Sequence, residues 1–139
     1  LNPRSAVAAA AQTPPDMDIE WRTGDVFAHV PEPPPDFIVT SQFTHHLDDA
    51  DIVRFLRWLD HHAKRGWFIA DLHRNGFAYW GFGLLATVAR WHPIVRSDGM
   101  ISVARSFRRA DWEKLLAEAG IKADVSWHLA FRWCVDRRK

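Results

Sequence analysis

An α/β fold is what the sequence predicts, on three observations. The first is Asp36–Leu47, DFIVTSQFTHHL, a short buried strand over residues 36–40 that stops at Ser41 and Gln42 and delivers Phe43, His45 and His46 onto the loop beyond. The second is the amphipathic helix that follows: Asp48 and Asp49 are good helix starters, and Ile52, Leu56, Leu59 and Ala63 recur at helical spacing. The third is a further apolar strand, Trp67–Ala70, directly after that helix. Strand, polar loop, helix and strand form the repeating unit of parallel sheets, whose carboxyl edge is where ligands bind.

The remaining elements follow in order. Pro3 suits a first helical turn, so residues 4–12 read as a helix that ends before Thr13-Pro14-Pro15. Ile19–Thr23 alternates as a strand closed by Gly24-Asp25, and Pro31–Pro35 makes a stiff connection into Asp36. Lys64-Arg65-Gly66 marks the end of the middle helix. Asp71-Leu72-His73-Arg74 is the exit of the Trp67 strand, which sets Asp71 and His73 on the same sheet edge as Ser41 and His45. Residues 77–91 are apolar nearly all round, as in a core helix, a helix packed on a partner chain in a homodimer, or a lid over a greasy pocket. Gly81 and Gly83 weaken its continuity. Residues 92–99 read as a polar connection and Met100–Ser106 as a short strand or extended arm. Ala110–Ala119 carries Trp112, Leu115, Leu116 and Ala119 at helical spacing up to Gly120. Residues 122–126 and 130–135, turned at Trp127-His128-Leu129, make a closing antiparallel hairpin.

Composition narrows the function classes. The 139 residues suit one domain, and a formal net charge of +1 gives no long-range pull toward nucleic acid. The basic end, Arg137-Arg138-Lys139, reads as a solvated tail. The single Cys134 forms no internal disulfide, no segment has a signal-peptide layout, and the apolar run over residues 77–89 falls short of the ~20 residues that cross a bilayer. The expectation is a cytoplasmic protein without stable membrane insertion or a nucleic-acid partner. His45-His46 and His61-His62 are adjacent pairs without the i, i+4 spacing of a helical zinc site, and no G-x-S-x-G elbow is present, so neither a metal centre nor a serine hydrolase is expected.

Together the stretches Ile19–Phe27, Asp36–Leu47, Gly66–Leu72 and Phe107–Ile121 resemble, in order and spacing, the third strand, fourth strand, fifth strand and late helix of class I S-adenosylmethionine (SAM)-dependent methyltransferases of the UbiE-like kind. The resemblance implies a doubly wound, Rossmann-like sheet of seven strands in the order 3-2-1-4-5-7-6. It also implies that residues 1–139 are the carboxyl-terminal two thirds of a single methyltransferase domain. Strands one and two and the glycine-rich loop are then missing, since no G-x-G pattern precedes Leu1. In that order the third and fourth strands sit three positions apart, about 14 Å at the usual strand spacing. Ile19–Thr23 would therefore lack a neighbour unless other chain fills the gap.

The same resemblance assigns roles. Asn2, Asp25, Val26, Ser41, Gln42 and His46 are the implied cofactor-binding residues, with SAM as cofactor. Asp25 would accept from the adenine amine, Val26 would donate from its backbone, and Ser41 and Gln42 would hold the methionine part. From the residues alone, Asp25 after Gly24 reads first as a turn residue, and Phe43 either flanks a sulfonium or plugs the core. His45 and His73 are the candidate bases, because imidazole titrates near working pH. The implied reaction is methyl transfer to a small acceptor, and the aromatics of residues 77–91 suggest an apolar or aromatic one. The alternative is a non-enzymatic, methyltransferase-like interaction module that does not bind SAM.

Overall fold

In the computed structural model, which describes residues 3–129 and 131–139, the chain divides into two compact units, 1–31 and 32–139. The first unit holds helix α1, Pro3–Gln12, and a single 3-10 turn at Val26–Ala28. Ile19–Thr23 forms no strand, contrary to its alternating pattern. A strand exists only through a ladder partner, and none reaches these residues among those described. Asn2 lies outside the described residues.

The second unit is a four-stranded mixed sheet with four helices. Strand β1, Phe37–Ser41, pairs in parallel with β2, Gly66–Leu72, and α2, Asp49–His62, crosses between them. After α3, Gly76–Val88, α4, Pro93–Arg105, and α5, Arg109–Ala119, the hairpin of β3, Asp124–His128, and β4, Arg132–Arg138, returns antiparallel. β4 inserts between β2 and β3, giving the order β1-β2-β4-β3.

Local chemistry explains the boundaries. Asp48 caps α2 by accepting from the Asp51 amide at 2.8 Å, and Gly120, in the left-handed conformation at φ 73°, closes α5. The cap of α5 lacks the usual Ser or Thr, and Asp111 supplies it from inside the helix by accepting the Arg108 amide at 2.7 Å. Gly66, past the helix end as expected, opens β2 at φ 156°, where a Cβ would strike the Arg137 carbonyl. Strand β3 runs on through Trp127 and His128, expected in the turn, and β4 starts only at Arg132, so the hairpin closes later than expected.

Residues 92–105 correct the sequence reading. They form a helix, not a connection and an arm, because His92 caps it through Nδ1 and Pro93 enters at its first turn. Gly99, which resembles a breaker in sequence, lies where Phe82 of α3 closes on α4, so it serves packing rather than a turn. The glycines of α3 likewise leave that helix continuous.

The core gathers α2 and α5 with the sheet: Leu56, Leu59, Trp67, Ile69, Trp112 and Val135 are buried. The Arg57 guanidinium joins the two helices by donating to the Glu118 carbonyl at 2.8 Å and the Ala119 carbonyl at 3.3 Å. Among the described residues no helix is long and apolar enough to cross a membrane.

Candidate functional site

At the carboxyl edge of β1 and β2 the chain builds a buried polar knot. Gln42 leaves β1 in the left-handed region, φ 53°, while its amide still bonds the Ala70 carbonyl of β2 at 2.8 Å. That turn drives the next residues, Thr44–His46, into one 3-10 turn over the end of β2. There Asp71, with no exposed surface, accepts four donors. The Thr44 hydroxyl and the His45 amide (3.1 Å) reach Oδ2; His45 Nδ1 (2.6 Å) and the Leu72 amide (2.7 Å) reach Oδ1. Burial alone would raise the Asp71 carboxyl, but the His45 and Thr44 hydrogen bonds, the His45 charge and the Leu72 amide together hold it below the ordinary carboxylate value. The carboxylate on Nδ1 fixes the tautomer of His45, so that in the neutral ring the lone pair sits on Nε2.

The two adjacent histidines part company as their spacing implied. His45 is buried and His46 exposed, with the rings still 4.2 Å apart. Ser41 and Gln42 are exposed on the same edge, and neither side chain makes a hydrogen bond within the described residues. Phe43 is half-buried and packs edge-on against Phe55 of α2 at 5.2 Å, which is the core-plug role.

Beside the knot lies an apolar cavity of about 390 Å³. His73 lines it from the exit of β2, with Phe77, Phe82 and Leu85 of α3, Val103 of α4 and Phe131 of the hairpin turn. His73 is held by its backbone, which donates to the Phe131 carbonyl at 2.8 Å, and its ring meets Trp133 edge-on at 5.3 Å. Its Nδ1 is buried without a hydrogen-bond partner. Desolvation, and next the Arg108 charge, lower its pKa below the ordinary 6.5, so the ring is neutral near pH 7. A neutral imidazole in an apolar cavity accepts a proton and has little else to bond to.

The structure thus brings Ser41, Gln42, His45, His46 and His73 to one sheet edge. Asp25 and Val26 belong to the first unit, where Asp25 Oδ1 accepts from the Phe27 amide at 3.0 Å and caps the 3-10 turn, the local role open to it from sequence. Thr44 and the full engagement of Asp71 were missed. The signal for Asp71 was present: one acid closes an otherwise apolar strand, WFIAD, and a buried acid needs partners.

No family model matches the chain, and no curated protein does. Solved structures do. A crystal structure of a protein assigned as an O-methyltransferase, from Nostoc punctiforme PCC 73102, superposes with a TM-score of 0.56 at 16% identity over 85% of this chain. Magnesium protoporphyrin IX methyltransferase from Synechocystis PCC 6803, solved with bound SAH, gives 0.48 at 15% identity over 85% of the chain. The chain spans 35% of the first protein's length and 50% of the second's. At such identity the likeness to the Nostoc protein is one of fold alone: an α/β, Rossmann-like arrangement of sheet and helices.

Proposed function

We propose that the chain is part of a SAM-dependent methyltransferase that transfers a methyl group to a small apolar or aromatic acceptor. The observation that carries this is the pairing, at one carboxyl edge, of an exposed polar loop with a half-open apolar cavity lined by a neutral histidine. The strand order β1-β2-β4-β3 supports reading these strands as the fourth, fifth, seventh and sixth of a seven-stranded sheet. Exposed Phe37 and Val39 on β1, whose outer edge is unpaired among the described residues, fit a strand that meets further chain there.

The edge residues suit the cofactor. SAM, when bound, supplies a methyl group on a positively charged sulfur. The Ser41 hydroxyl and the Gln42 amide offer uncommitted donors and acceptors for its amino-acid end, and exposed His46 flanks them. Asp25, with Oδ2 outside its own cap, and the Val26 backbone are the adenine-side residues of this reading.

The chain's own groups do the rest. The apolar walls of the cavity take an apolar acceptor and orient it against the edge. His73 is the group placed to accept the proton that the acceptor gives up. Asp71 holds the Thr44–His46 turn in place and keeps the His45 lone pair on Nε2, which makes His45 the second candidate base. The alternative, a module that binds no SAM, draws on the missing strand at Ile19–Thr23.

Calorimetric titration with S-adenosylhomocysteine separates the two. Micromolar binding that Asp25→Ala weakens at least about tenfold, a loss of roughly 1.4 kcal/mol, is the expected result. A folded protein that takes up no cofactor sinks the enzyme reading and leaves the interaction module.

A further inference from the structure

Helix α3 turns an apolar row outward. Phe77, Trp80, Leu84 and Val88 recur at steps of three, four and four, so they share one face, and they are 77, 72, 67 and 73% exposed. Beyond the turn, Ile94 at the start of α4 is 70% exposed. Single exposed apolar residues need no explanation, whereas a continuous row marks a surface that meets something.

The charges beside the row say what it meets. Residues 72–97 contain no Asp or Glu. Arg90 and Arg96 line one cleft of about 490 Å³ between the end of α3 and the start of α4, together with Trp91 and Ser97. Neither guanidinium has an ion-pair partner among the described residues. A second copy of the chain docked on this face would set three arginines, Arg90, Arg96 and Arg105, against Asp98, the one acid of the α3–α4 hairpin. An anionic lipid surface supplies both halves of the match. Its acyl boundary takes the apolar row, its headgroup level suits the tryptophans, and its phosphates suit the arginines.

We propose that the α3–α4 hairpin docks the protein on anionic membrane surfaces, with Phe77, Trp80, Leu84 and Val88 at the acyl boundary and Arg90 and Arg96 on lipid phosphate. The docking is interfacial and spans nothing. It does not depend on the methyltransferase reading: of the row only Phe77 also lines the apolar cavity, and Leu84, Arg90 and Arg96 line neither that cavity nor the polar knot.

Flotation of the protein with vesicles tests it. Partition onto phosphatidylcholine vesicles carrying about a third phosphatidylglycerol should exceed partition onto pure phosphatidylcholine at least tenfold. The double variant Arg90→Gln, Arg96→Gln should lose about 30-fold on the anionic vesicles, from two cations near the surface. Leu84→Glu should abolish binding to both while leaving the circular-dichroism melt unchanged. Equal partition onto the two lipids, or an undiminished double arginine variant, overturns the proposal. So does an absence of partition, whether the protein sediments as a monomer or as a self-associated species that Leu84→Glu dissolves. Titration with S-adenosylhomocysteine on the same preparation is read separately, and neither result predicts the other.

Discussion

Asp71 is a charge that water never reaches, and what holds it ionised also holds the site together. Each of its oxygens accepts two donors, three of the four coming from Thr44 and His45 of the 3-10 turn and one from the Leu72 amide of β2. Removing it leaves Thr44, the His45 amide and His45 Nδ1 without an acceptor in a dry place. Asp71→Ala is therefore expected to cost about 3–5 kcal/mol, read from urea unfolding. The pH dependence has a definite sign. The folded carboxyl lies below its ordinary 3.8, so its contribution is fully present above that value and is lost as pH falls through the folded one. The alanine variant should lose that acid-side decline, and an unchanged acid limb would show that the knot is not what stabilises the loop. The histidines were legible as candidates because residue type announces titration. Their environments were not, since burial and the partner on a neighbouring strand are set by register, which no single stretch displays.

At the level of elements, Gly66 shows how a strand's first residue fixes a register. Its φ of 156° and the Arg137 carbonyl facing it leave no room for a side chain, and β2 pairs there with both β1 and β4. Gly66→Ala should cost on the order of 2–3 kcal/mol, from backbone strain and a displaced ladder, as a lowered urea midpoint. A wild-type midpoint would mean the carbonyl moves aside freely. The elements that sequence placed well are those with a strong period and a cap of their own: β1, α2, β2 and α5. Those it missed depend on other elements. Residues 19–23 have the alternation of a strand without a partner to pair with. Residues 93–105 lack an apolar period because α4 buries only Val103 and rests on α3 through Gly99. In both cases the deciding contact was far away in sequence.

For the molecule as a whole, the distribution of the core decides what folds. Every buried hydrophobic side chain among the described residues lies between Ile52 and Val135, inside the second unit, and so does every strand of the sheet. Among the described residues the first unit has no buried apolar side chain of its own; Ile19 and Trp21 are about half exposed, at 46 and 47%. Hydrophobic burial is the dominant favourable term in folding, so the 32–139 segment should carry nearly all of the stability. A chain beginning at Glu32 is expected to melt cooperatively, within a few degrees of the complete 139 residues, by differential scanning calorimetry. Asp71→Ala should lower both melting temperatures by the same amount, because its partners all lie within the second unit. If the shortened chain instead melts over a broad range with no heat-absorption peak, residues 1–31 contribute to the core. Cofactor affinity is then tied to global stability, and a variant such as Asp25→Ala has to be judged on its melt before its binding is interpreted.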